Sequence, residues 1–138
     1  MRRAAAVGLL TAVAAFGCGG QTRAREVPAR LAAPRACHVD IFLATRMVSG
    51  REATRAEIAA LRARLAASSR IRTYAFVSKR LALRRMAKRH PELVYGLSSN
   101  PLPAAYEVVP KAVGEARPLA AELRRAAGVE HVSSARGC

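Results

Sequence analysis

The sequence predicts an α+β fold: a ferredoxin-like βαβ-βαβ sandwich with a four-stranded antiparallel sheet, two long helices and a small helical insert between strands 2 and 3. Three observations predict it. Short apolar runs of strand character recur along the chain, segments of helical period alternate with them, and one dense block of turn residues interrupts the pattern near its middle.

Val39-Asp40-Ile41-Phe42-Leu43 is apolar with a single charge and reads as the first strand. Ser49-Gly50 ends the loop after it. Thr54-Arg55-Ala56-Glu57 is a capping box, in which the threonine hydroxyl accepts from the amide three residues on and the glutamate reaches back. Ile58, Leu61 and Leu65 then fall at helical spacing, and Ser68-Ser69 ends the helix. Ile71, Thr73, Ala75 and Val77 alternate with Arg72, Tyr74 and Phe76, a strand pattern in which neither face is fully wet. Ser78 opens a strongly basic helix that His90-Pro91 breaks, because proline disfavours helix in the residue before it. Residues 92–97 form a short second helix of the insert, and Ser98-Ser99-Asn100-Pro101-Leu102-Pro103 is turn chemistry. Ala105 to Val109 is the third strand. Pro118 suits the first turn of the second long helix, whose apolar stripe is Leu119, Leu123 and Ala126-Ala127. Gly128 follows as the residue after its end, and Val129 to Ser133 is the last strand.

A faint internal echo supports two βαβ halves: Ala59-Ala60-Leu61-Arg62 leads to a strand at Ile71, and Ala121-Glu122-Leu123-Arg124 to one at Val129. The expected sheet order is 4-1-3-2 with both long helices on one face. The first and last strands are then antiparallel neighbours. Cys37 at the start of one lies beside Cys138 at the end of the other, and a disulfide between them is expected, with two free thiols as the alternative.

The N-terminus sets the compartment. Arg2 and Arg3 precede an uncharged run, Ala4 to Gly17, of signal-peptide length and too short to span a bilayer. It stops at Cys18. Residues 1–17 therefore read as a signal peptide of lipoprotein type with Cys18 as the lipidated residue. An ordinary cleaved signal, giving a soluble secreted protein, and an uncleaved anchor stay open. Residues 18–36, with two glycines, Pro28 and Pro34 and no apolar period, read as a flexible basic tether, and 37–138 as the folded domain.

The chain of 138 residues has 24 Lys and Arg against nine Asp and Glu, a net charge of +15, which favours anionic lipid or cell-wall polymer. Nucleic acid is the usual partner of so basic a chain. The export signal, the absence of Trp and the scattered arginines argue against it.

Catalytic readings find little footing. His38, His90 and His131 are isolated in sequence, no Cys-x-x-Cys or His-x-x-x-His occurs, and no paired carboxylates stand out, so neither a metal nor a cofactor is expected.

Four motifs in order carry a resemblance. Segment 71–83, IRTYAFVSKRLAL, is similar to the stretch of FtsX where a strand ending in Val-Ser-Lys enters a helix. Segment 100–108, NPLPAAYEV, is similar to its Asn-Pro-Leu-Pro and following strand; Gly128-Val129-Glu130-His131-Val132 to its closing Gly-Val-x-x-Val; and Val39 to Leu43 to its first strand. The chain resembles the extracytoplasmic domain of this cell-division protein over roughly residues 38–133. The resemblance implies a non-enzymatic domain that recruits or regulates a peptidoglycan hydrolase or its activator. It also implies an apolar contact surface on the insert, here Leu83, Met86, Leu93, Val94, Tyr95 and Leu97, with Met86 and Tyr95 the most exposed. FtsX works with the ATPase FtsE and has four transmembrane helices. None is read in this sequence, so the expectation is a recognition module held by a lipid anchor, an accessory to a full FtsE/FtsX-type transporter being one setting for it.

Overall fold

The computed structural model describes residues 23–29, 37–134 and 138; the signal peptide expected at 1–17, Cys18 and most of the tether lie outside the described residues. Its sheet has five strands: β1 (Arg25–Glu26), β2 (Val39–Leu43), β3 (Ile71–Val77), β4 (Ala105–Pro110) and β5 (Val129–Ser134). Four helices accompany them: α1 (Arg46–Ser49), α2 (Arg55–Ala67), α3 (Lys79–Arg89) and α4 (Ala116–Leu123). The spatial order is β1-β3-β4-β2-β5. β2 pairs antiparallel with both β4 and β5, and β3 antiparallel with β4.

The expected four-stranded antiparallel sheet is corrected by β1, which runs parallel to β3 and makes the sheet mixed. It comes from the segment read as tether. Arg25 and Glu26 sit opposite Thr73 and Tyr74, the Val27 amide donates to the Tyr74 carbonyl at 2.8 Å, and Arg62 Nε donates to Glu26 at 2.8 Å. A two-residue strand has no period to read, so composition alone makes it look like linker.

α2 begins as its capping box requires. Thr54 accepts from the Glu57 amide at 3.2 Å, and Glu57 accepts from the Thr54 amide at 2.8 Å. Leu61 and Leu65 are then buried against the sheet with Leu119 and Leu123 of α4. Each such leucine contributes about 2–3 kcal/mol by leaving water. The sheet side of this core is Val39 and Ile41, Tyr74, Tyr106 and Val108, and Val132.

The opposite face carries a second cluster, in which Ala75, Val77 and Ala105 meet Ala29, with Leu81 and Ala82 of α3 packed against it. β3 is thus covered on both sides. Its alternation differs at one point from the expected pattern: Ile71 joins the Tyr74 side, because the pairing with β4 shifts register between Ile71 and Thr73.

Three further differences are local. Residues 46–49 coil into the one-turn α1, closed by Gly50 at φ 71°, where a plain loop was expected. In the insert, a short second helix was expected over 92–97; the structure has one 3-10 turn, Pro91–Leu93. α4 stops at Leu123, before Ala126-Ala127, as the amides of Arg125 and Ala126 turn back to carbonyls three residues earlier. Cys37 and Cys138 are disulfide-bonded with Cα atoms 4.9 Å apart, closing a separation of 101 residues.

Gly128 sits at φ 76°, and a Cβ placed there would come within 2.8 Å of Glu57 Cβ. Gly128→Ala combines left-handed strain with a clash against the α2 cap. It is expected to destabilise the fold by about 2 kcal/mol in urea titration, whereas Gly114→Ala, where a Cβ meets nothing within 4 Å, should change it little.

Candidate functional site

The insert is built outward from Ser78, whose side chain accepts from the Leu81 amide at 3.2 Å and caps α3. The cap is worth about 1 kcal/mol. His90 ends the helix, and Pro91–Leu93 makes a single 3-10 turn. The chain returns through Asn100. Its side-chain amide donates to the Lys79 carbonyl at 2.7 Å, and its side-chain oxygen accepts from the Leu102 amide at 3.0 Å. One residue of the Asn-Pro-Leu-Pro motif therefore clasps the two ends of the insert together.

A second tie fixes α3 to the sheet. Arg85 pairs with Glu107 of β4 and donates to the Ala29 carbonyl at 2.6 Å. Between α3 and the outer face of the sheet lies a cleft of about 700 Å³. Phe42, Val77, Met86, Leu102, Pro103 and Val109 form its apolar walls. Its floor carries Asp40 and Glu107, which face one another across the β2–β4 ladder. Burial pushes the Asp40 carboxyl above its ordinary value and Glu107 adds to this, while His38, 3.4 Å away, pulls it down.

The residues assigned to partner contact divide into two groups. Leu93, Tyr95 and Leu97 are exposed, Tyr95 at 92%. Leu83, Met86 and Val94 are half-buried, Met86 in the wall of the cleft. Of the two residues expected to be most exposed, Tyr95 is and Met86 is not. Packing of the insert onto the sheet is done instead by Leu81 and Ala82. The floor residues Asp40 and Glu107, and Arg85 of α3 above them, are not among the contact residues expected from the sequence. Alternation in the first and third strands carries the signal, since Asp40 and Glu107 stand between core residues and must face away from them. Among the described residues, no group of three or more His, Cys, Asp or Glu is placed to hold a metal ion, and no helix is long and apolar enough to cross a membrane.

An α+β sandwich with helices α2 and α4 on one face and a clasped helical arm over the other is the architecture of an extracellular-domain class. The chain belongs to the FtsX extracellular-domain family, whose profile matches residues 37–138. It is similar to the crystal structure of extracellular domain 1 of FtsX from Streptococcus pneumoniae in complex with undecyl-maltoside, at 16% identity and a TM-score of 0.52, covering 70% of this chain and 92% of that one. It is also similar to the solution structure of the large extracellular loop of FtsX from the same organism, at 15% identity and a TM-score of 0.52, covering 71% and 98%. At these identities the likeness is one of fold. No curated protein sequence matches the chain.

Asn100→Ala removes both arms of the clasp and is expected to cost about 1–3 kcal/mol, with hydrogen exchange rising in residues 90–102 and unchanged in β2 and β5. Asp40→Asn tests the floor. A carboxyl whose pKa is raised by folding takes up protons more readily in the folded state, so its ionisation costs stability as pH rises through the window above the ordinary value. The variant should melt higher than wild type at pH 7 and lose that advantage near pH 3.

Proposed function

We propose that the chain is a non-enzymatic protein-binding domain outside the cytoplasm, and that its insert docks a peptidoglycan hydrolase or the activator of one. The observation that carries the reading is Leu93, Tyr95 and Leu97 standing exposed on an arm fastened at both ends. Large apolar groups held rigidly in solvent cost free energy unless something covers them, and an aromatic anchor beside an apolar cleft is the usual make-up of a binding hot spot. The pneumococcal FtsX domain in complex with undecyl-maltoside supports the reading, since a domain of this fold there accompanies an amphiphile with an alkyl chain.

The N-terminal residues complete the proposal. Residues 1–17 direct export, Cys18 carries a lipid, and the few residues between Cys18 and β1 tether the domain near the membrane, placing it where a wall-cleaving enzyme or a transporter works. The domain contributes recognition; bond cleavage belongs to the partner.

A photo-crosslinking residue at position 95, irradiated in cells, is expected to yield an adduct with a hydrolase or an activator, and Leu93→Glu in the same chain to reduce that adduct at least about tenfold. An adduct of equal yield from a crosslinker at Arg117, on the opposite side of the sheet, would count against the insert as the docking surface. The yield at position 95 should hold between low and high salt, as apolar docking does.

A further inference from the structure

α3 carries more charge than the fold uses. Its sequence, Lys79 to Arg89, holds six basic residues and no acid. Lys79 is paired with Glu52 and Arg85 with Glu107. Arg80, Arg84, Lys88 and Arg89 are all exposed, and none has an acidic partner among the described residues. Arg80, Arg84 and Lys88 recur every four residues and share one side of the helix, a ridge about 12 Å long at 1.5 Å per residue. Like charges at this spacing repel one another and weaken the helix that carries them. Elsewhere several arginines are matched, Arg51 with Glu57, Arg62 with Glu26, Arg64 and Arg70 with Glu122, while Arg55 and Arg117, which no acid pairs among the described residues, stand on helices that also carry one, Glu57 in α2 and Glu122 in α4. Of the three longer helices among the described residues, α2 and α4 each hold a glutamate and α3 holds none.

We propose that the α3 ridge is a docking surface for an anionic lipid bilayer, with Arg80, Arg84 and Lys88 each set against headgroup phosphates. Charge complementarity selects an anionic surface, and a rigid straight row suits a planar array of phosphates. The choice of a bilayer over a soluble polymer rests on the neighbouring residues: Leu93 and Tyr95 follow the ridge in the same arm and are exposed, and an aromatic and a leucine beside a basic row is the composition that settles at the boundary between headgroups and acyl chains. The contact holds the arm at the membrane and brings its cleft to a defined height above the lipid. It shares Leu93 and Tyr95 with the protein-docking reading and differs from it in resting on Arg80, Arg84 and Lys88 and in its salt dependence, so loss of vesicle binding by a ridge variant and loss of the adduct at position 95 are separate failures.

The test uses the full chain and two kinds of vesicle, phosphatidylcholine alone and phosphatidylcholine mixed with phosphatidylglycerol. The quantity read is the increase in affinity on adding the anionic lipid, which removes any contribution of the apolar N-terminus. R80E/R84E/K88E should lower that increase by about tenfold or more. R55E/R117E/R125E, the same change in net charge on the other side of the sheet, should alter it less than about twofold. Equal losses in the two variants would show binding by net charge and overturn the ridge. So would retention of vesicle binding by the ridge variant together with loss of its binding to linear polyphosphate, which would assign the surface to a soluble polymer. R80Q/R84Q/K88Q, which keeps helix propensity, covers the case in which charge reversal unfolds α3, and its increase should also fall.

Discussion

The rest of the structure depends on the burial of β3 and β4 on both faces. On one side Tyr74, Tyr106 and Val108 lie under α2 and α4. On the other Ala75, Val77 and Ala105 lie under Ala29 and α3. The two sides differ in residue size: Tyr74 and Tyr106 lie on the side of the long helices, and Ala75 and Ala105 on the side of α3. Leu81, Ala82 and the Arg85–Glu107 pair hold α3 to this side, with a cleft of about 700 Å³ between helix and sheet. Packing α3 through Leu81 and Ala82 leaves the returning segment, Leu93 to Leu97, with no sheet to cover it. The exposed apolar tip follows from the way this side is built.

Charge is arranged on the same plan. With 24 basic residues against nine acidic ones, most arginines have no carboxylate to meet. Exposed ion pairs contribute little stability each, with a median of about 0–1 kcal/mol, but they decide which surfaces are neutral. The α2 and α4 side carries several matched pairs beside unpaired arginines, while Arg80, Arg84 and Lys88 of α3 have no acidic partner among the described residues. Glu57 shows the local effect. Its bond to Arg51, helped by the Thr54 amide, lowers its pKa to about 2, so the cap of α2 stays ionised throughout the range where most carboxylates have titrated.

Much of the fold was legible in the sequence because period, caps and turns agreed. Thr54 and Glu57 announced α2, Ser78 announced α3, and the alternation of β3 with both Tyr and Phe on one side announced a sheet with two covered faces. β1 was not legible, because two residues carry no period and are strand only by pairing with β3. The early end of α4 was not legible either, since Ala126 and Ala127 have high helix propensity and yield to the turn that delivers Gly128 against Glu57. For the candidate site, the apolar composition of the insert was visible, but the division between packing and exposed residues was not. Leu83 and Ala82 are both good helix formers, and only the way α3 seats on the sheet decides that Ala82 packs there.

The central claim is that the arm holds its apolar tip outward for a partner. The chain has three tyrosines, and they form a built-in probe, since Tyr74 and Tyr106 are 4% and 2% exposed while Tyr95 is 92% exposed. Hydroxyl-radical footprinting of the isolated chain and of the same chain in native envelopes measures all three together. The account predicts rapid modification of Tyr95 alone in the isolated chain, and its protection in envelopes with Tyr74 and Tyr106 unchanged. Equal reactivity of Tyr95 in the two settings would contradict it.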